Sequence, residues 1–198
     1  MKDFLPVVTD NFLSSEGLKK LNVLSKKYRK SAKPGQVRTE MDRPVFYFPK
    51  KKNAVFFLDP SVLDPVITEI RNKLSILLKE HSIKVPSKFE MGVPQFSYYE
   101  SGDYYGVHKD KTELGITFIL FFSEKDFSGG ILKFNEEHRT KVSYLSNRAI
   151  VFASNHKHEV TKVKGKGVRM TLQFFLTSNK AQEKFHLEIV RNRKAFRK

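Results

Sequence analysis

His108-Lys109-Asp110, a further histidine at His158 and an arginine at Arg169 are the residues of this chain best suited to chemistry. On an extended strand, residues two apart point to the same side. His108 and Asp110 would then reach one ion together, with Lys109 turned away. Two imidazoles and one carboxylate on one face of a metal leave its other face open. Such donors are harder than thiolates and suit the oxygen chemistry of non-haem Fe(II). Arg169 leads an apolar stretch and carries a planar fork of donors that matches a carboxylate. With 6 histidines in the chain, an H-x-D tripeptide also arises by accident, so order and context carry the weight. His158 lies beyond the glycine turn Gly129-Gly130, in a different expected strand. His156 competes with it, because in a strand both would point the same way. His158 is preferred, since Glu159-Val160 follows it and leads toward Arg169. His81, His138 and His186 fall in a helix, a turn and a terminal helix and read as surface histidines.

These residues need a frame. From about Glu90 the chain consists of short aromatic and β-branched runs separated by Gly, Ser and Asn. The expected strands are 95–99, 116–122, 131–134, 141–144, 149–152, 159–163 and 169–176. Many short strands at regular spacing predict an antiparallel sandwich or barrel. Two helices come earlier. Ser14 can cap one whose Leu18, Leu21 and Leu24 share a face. Asp64-Pro65 supplies a cap and a first-turn proline for another, with Val66, Ile70, Leu74 and Leu78 as its apolar stripe. Between them, 45–49 and 54–58 read as strands joined across Lys50, Lys51, Lys52 and Asn53, with Lys50 to Lys52 read as a solvated loop in preference to a substrate-covering one. The last stretch reads as a basic helix with Phe185, Ile189 and Phe196 on one side. The fold class is α+β, mainly β. One domain is expected over 1–198: helical and strand support over 1–89, a β core over 90–178 and the basic helix over 179–198.

Composition sets the outer bounds. A chain of 198 residues with 39% hydrophobic residues and 18 Phe fills a full core. The absence of Cys excludes disulfides, zinc-thiolate sites and thiol catalysis, so any metal must be held by His and carboxylate. No apolar run is long enough to span a bilayer, and the first ten residues lack the apolar core of a signal peptide. A soluble cytoplasmic protein with no membrane partner is the expectation. The formal net charge of +16 attracts polyanions. No localised motif accompanies it, so nucleic acid is expected only as a non-specific or indirect partner.

The motifs in order resemble a known family. Tyr99, Gly102, Tyr105, His108 and Asp110 are similar to the Y-x-x-G-x-x-Y-x-x-H-x-D stretch of prolyl 4-hydroxylase-like 2-oxoglutarate/Fe(II) oxygenases. Gly129-Gly130-Ile131-Leu132 resembles their G-G-x-L turn, 149–152 followed by His158-Glu159-Val160 their second-histidine strand, and Gly167-Val168-Arg169-Met170-Thr171 their G-x-R-x-[ST] end. Asn11-Phe12-Leu13-Ser14 resembles their opening before the first helix. The resemblance is densest from about Gln95 to Leu176. It implies a double-stranded β-helix, or jelly roll, with helices on the outside of one sheet and the metal at its mouth. It implies Fe(II) held by His108, Asp110 and His158. It also implies 2-oxoglutarate paired through its far carboxylate with Arg169, Thr171 and Tyr99 near that co-substrate, and Tyr105 on the substrate side. O2 would be the oxidant, with ascorbate as an optional reductant.

Two departures stand out. Phe121 takes a place where many prolyl hydroxylases carry Tyr, which leaves the co-substrate hydrogen bond to Thr171, Tyr99 or water. Lys162 replaces the usual Pro after the second histidine. Asp110 itself implies hydroxylation, because related halogenases have a small residue there. The implied reaction is hydroxylation of an unactivated C–H bond with release of succinate and CO2, and the nearest resemblance points to a prolyl residue of a peptide or protein. A free amino acid or other small molecule is the second substrate class. A nucleic-acid demethylase would carry another Arg six residues after the first, where this chain has Phe175. A metal-free jelly-roll module binding polyanions is the reading from a different class.

Overall fold

A computed structural model of the chain describes residues 4–34, 37–38, 44–45, 51–110, 115–123, 126–134 and 140–178. The expected terminal helix over 179–198, together with His138 and His186, lies outside them. So do residues 46–50 of the expected strand 45–49 and its loop.

The frame is two antiparallel sheets facing each other, with two helices on the outer side of the larger one. The main strands are β1 (Val7–Thr9), β2 (Ala54–Phe57), β3 (Gln95–Tyr99), β4 (Tyr104–His108), β5 (Ile116–Phe121), β6 (Leu132–Phe134), β7 (Arg148–Ala153), β8 (His158–Val160) and β9 (Arg169–Ser178). The large sheet has the order β1-β7-β5-β9-β3-β2 and then Lys33–Pro34, with Phe89–Met91 also pairing β9. The small sheet has the order Lys141–Val142, β6, β8, β4 and Lys51–Lys52. This is the jelly roll expected from the motifs.

The large sheet is buried on both faces, which is why its central strands read as continuous apolar runs rather than alternating ones. β5 sends Phe118 and Leu120 to the helices, and Ile119 and Phe121 into the space between the sheets. β9 does the same, with Met170, Leu172 and Phe174 on the helix side. Its first residue Arg169 and then Thr171 lie on the other face, both buried.

Helix α1 (Ser15–Arg29) starts where the sequence predicts. Ser14 Oγ accepts from Gly17 N at 3.1 Å, and Glu69 of helix α2 (Asp64–Glu80) accepts from Ser14 N at 2.6 Å. That ties the two helix faces together at their ends. The apolar stripe of α2 is buried as expected at Val66, Ile70, Leu74 and Leu78.

Its cap differs from the expectation. A 3-10 turn over Pro60–Leu63 precedes the helix, Asp59 caps that turn through Ser61 N, and Asp64 is already helical. Two further expectations are corrected. Lys51–Lys52 are not part of a loop: they pair with Tyr104 and Tyr105 as the edge of the small sheet. β4 itself is a strand that the punctuation by Gly102, Asp103 and Gly106 concealed. Among the described residues no helix is long and apolar enough to cross a membrane.

Candidate metal centre

His108 ends β4 and His158 begins β8, and the two lie directly across from each other in the small sheet. Asp110 sits two residues past the end of β4. It reaches the histidines from the chain leaving the strand and not from the strand face that H-x-D spacing suggests. One ligand atom from each of the three lies within 4.8 Å of the others. His108 Nε2 is 3.9 Å from Asp110 Oδ1, and His158 Nε2 is 3.9 Å from Asp110 Oδ2.

The backbone selects the tautomers. His108 Nδ1 is 2.8 Å from Gly106 O, and His158 Nδ1 is 2.9 Å from His156 O. A carbonyl only accepts, so each Nδ1 carries a hydrogen, and Nε2 is the nitrogen turned toward Asp110. Asp110 is held in turn: Thr117 Oγ1 donates to its Oδ2 at 2.8 Å and lies 2.9 Å from Ser154 Oγ. Thr117 is the one hydroxyl within the apolar strand β5, and that oddity was its only trace in the sequence.

A β-bulge shapes the centre. His158 pairs with His108 while Val160 pairs with Tyr105, so β4 spends one more residue than β8 over the same span. The extra residue lets Tyr105 and His108, three apart, face the same side. The Tyr105 ring stacks on His108 with centroids 3.5 Å apart and an interplanar angle of 10°. Phe152 packs edge-on against His158 at 4.9 Å. His156 does not join the cluster. It lies in the turn between β7 and β8, where the two-residue period fails, and its Nε2 donates to Phe4 O at 2.9 Å.

Behind the three candidate ligands lies a buried cation. Arg169 is 1% exposed. Its Nε donates to Gly130 O at 2.9 Å. Its guanidinium carbon is 4.9 Å from the ring centres of both Tyr99 and Phe121 and 5.9 Å from that of Tyr144. Nη2 has no partner. Burial pushes the Arg169 pKa down, and Tyr99 and Tyr144 act against that shift.

A buried guanidinium with a nitrogen unpaired is a place for an anionic oxygen. Gly130 has φ +62°, and a Cβ there would come 2.7 Å from Arg169 Cδ, so the glycine turn is shaped around the arginine. Tyr99 pairs across from Arg169, and burial raises its phenol to about 12. Thr171 lies across from Phe121 on one side and Ser97 on the other.

The sequence reading missed Tyr144. Its ring stacks on Phe121 at 4.6 Å. Its hydroxyl accepts from Ser123 N at 2.8 Å and donates to Met170 O at 3.0 Å. It stiffens the wall behind Phe121, with its own hydroxyl committed to the backbone and to Ser123 Oγ.

The donor set fits a divalent ion such as Fe(II): two imidazole nitrogens, one carboxylate and no sulfur. The unpaired Arg169 nitrogen fits the carboxylate of a 2-oxo acid.

Comparison with known proteins agrees with this geometry. Residues 94–177 match the model of the 2OG-Fe(II) oxygenase superfamily. No curated protein matches the chain by sequence. Among solved structures, a Pseudomonas putida prolyl-4-hydroxylase shares 14% identity and a TM-score of 0.66, over 88% of this chain and 92% of that one. The viral collagen prolyl hydroxylase of Paramecium bursaria Chlorella virus-1, in complex with 2OG, shares 18% at TM-score 0.63, over 86% and 94%. A Trichoplax adhaerens prolyl hydroxylase in complex with a hypoxia inducible factor peptide fragment shares 15% at TM-score 0.69, over 90% and 86%. At these identities what is shared is the fold.

Proposed function

From a chain whose residues 94–177 match the model of the 2OG-Fe(II) oxygenase superfamily, we propose an Fe(II)- and 2-oxoglutarate-dependent dioxygenase that hydroxylates a prolyl residue of a peptide or protein. The observation that carries this reading is the convergence of His108, Asp110 and His158 beside a buried Arg169 with an unpaired nitrogen. Fe(II), with 2-oxoglutarate and O2, supplies the oxidation of an unactivated C–H bond, releasing succinate and CO2.

Every other task falls to the chain. His108 and His158 offer Nε2, and Asp110 a carboxylate oxygen that Thr117 orients. Arg169 pairs with the far carboxylate of the co-substrate, where a guanidinium in a dry pocket is worth more than in water. Burial pushes the Tyr99 phenol up, which favours its neutral form, and it and Thr171 serve as hydroxyl partners at that pocket. Tyr105, stacked on His108, keeps that ring fixed and forms the wall on the substrate side. Ascorbate enters as a reductant that sustains turnover.

The prolyl peptide rests on the neighbours, two of which are a collagen prolyl hydroxylase and a prolyl hydroxylase holding a peptide. The surplus of positive charge favours acidic sequence around the proline.

The test is direct. Anaerobic Fe(II) plus 2-oxoglutarate should give a weak visible charge-transfer band, and O2 should then yield succinate. His108→Ala should abolish both. Absence of the band in the wild type sinks the reading. Mass spectrometry of candidate peptides for the gain of one oxygen atom then identifies the substrate.

A further inference from the structure

The formal net charge of +16 has no task in the metal centre, and one helix holds a concentrated share of it. Over Ser15–Lys30, which is α1 with its C-cap, there are six cations and one carboxylate.

The helix period decides where they point. At 3.6 residues per turn, Lys19, Lys20, Lys26, Lys27 and Lys30 fall within an arc of roughly 120°. All five are exposed. The opposite face, with Leu18, Leu21, Leu24 and Tyr28, packs into the helix-side core. Lys19, Lys26 and Lys30 make one line along the helix, and Lys20 and Lys27 a second. Seven residues, about 10 Å, separate Lys19 from Lys26 and Lys20 from Lys27. Val23 sits between the lines and is 61% exposed. Among the described residues, Lys20 is the one of the five with an ion pair, to Glu16 at 2.6 Å. Lys26 and Lys30 stand four apart, where like charges repel. An anion laid along this face relieves that repulsion.

What the face lacks narrows the partner. Its one apolar residue is Val23, and the apolar side of α1 is spent on the core, so the helix has no face to bury in a bilayer. It also shows no stacking platform for unpaired bases: Tyr28 turns inward and stacks on Phe56 at 4.8 Å. The side chains of α1 suited to reading base edges are committed. Arg29 donates to Glu100 at 2.6 Å, and Asn22 donates to Leu18 O and Phe122 O. Lysine remains, which meets phosphate as a point charge. A nucleic-acid duplex presents such charges densely and regularly, about one per 1.7 Å of its axis.

We propose that the exposed face of α1 is a docking surface for the phosphate backbone of double-stranded nucleic acid, indifferent to base sequence. It lies on the outer side of the large sheet, whereas His108 and His158 belong to the small one. A docked duplex and the metal centre therefore use different surfaces, and docking needs no metal.

The probe is a fluorescein-labelled DNA duplex of arbitrary sequence, followed by anisotropy between about 50 and 200 mM salt. Each phosphate neutralised contributes about 0.9 to the fall of log K with log salt. Five lysines predict a slope of roughly −4 to −5. A variant carrying Lys19→Gln, Lys20→Gln, Lys26→Gln and Lys27→Gln should lose about 3 to 4 of that slope and bind at least about 10-fold more weakly at the lower salt. Gln keeps the helix propensity of Lys, so the melting temperature should hold. A control with Lys79→Gln, Lys84→Gln, Lys88→Gln and Lys164→Gln removes the same charge from exposed positions elsewhere, and should change the slope by less than about 1.

Equal losses in the two variants overturn the inference, because the charge then acts from the molecule as a whole. Tighter binding to a single strand of the same length, or to vesicles containing phosphatidylserine, also overturns it. So does a wild type that leaves the duplex unbound at the lower salt.

Discussion

A candidate metal ligand is only as good as what holds it, and here the support of Asp110 comes from another sheet. Thr117 donates to Asp110 and also meets Ser154, so the carboxylate is oriented by residues of β5 and of the turn after β7. Thr117→Val should keep the shape and remove the donor. The expected result is an Fe(II) affinity lower by about 10- to 100-fold, read by anaerobic metal titration, with little change in KM for 2-oxoglutarate. At this scale the sequence was informative where function follows from residue type. His108, Asp110, His158 and Arg169 stood out because few residue types hold iron or a carboxylate. Thr117, Ser154 and Tyr144 did not, because a hydroxyl in an apolar run looks like any strand former until the fold shows what it faces.

Among the elements, the glycine turn before β6 shows how backbone and side chain are matched. Gly130 offers its carbonyl to Arg169 and occupies a positive φ with no room for a Cβ. Gly130→Ala should cost about 1–3 kcal/mol of stability and raise KM for 2-oxoglutarate, because the methyl group pushes on Arg169 Cδ. Thermal melting and co-substrate titration check the two effects.

The edge strand β1 is clamped differently. Arg148 donates from Nε and Nη2 to the two oxygens of Asp10. Those hydrogen bonds hold the Asp10 carboxyl below the usual range. A depressed folded pKa adds stability above the unfolded value, and this is lost as pH falls through the folded one. Asp10→Ala should therefore cost about 0.5 kcal/mol at neutral pH, after screening of an exposed pair, and almost nothing in strong acid. Urea midpoints at the two pH values decide it.

Strand β3 appeared in the sequence with its exact limits, and β5, β7 and β9 to within about two residues, because long apolar runs leave little choice. Strand β4 did not. Its bulge puts Tyr105 and His108 on one side, whereas a strict two-residue period would separate them.

Over the whole molecule, the two faces of the large sheet divide the labour. The helix side buries an aliphatic and aromatic core that has no part in chemistry. The inner side carries the arginine, the phenols and the wall of the centre. The sequence showed the amount of apolar material but not this division, since which face a residue takes depends on a sheet order that no local pattern encodes. The basic helix expected at 179–198 lies outside the described residues, and the net charge of +16 belongs to the chain as a whole.

The ligand arrangement has one more consequence, and it is mechanical. His108 and His158 belong to neighbouring strands of the small sheet, whereas Asp110 is fastened through Thr117 to the large one. An ion bound by all three is therefore a rivet through both walls of the jelly roll. Amide hydrogen exchange should report it: removal of the metal should speed exchange in β4 and β8 and leave the doubly covered β5 and β9 nearly unchanged. Uniform protection with and without metal would mean that the two walls are held together without the rivet.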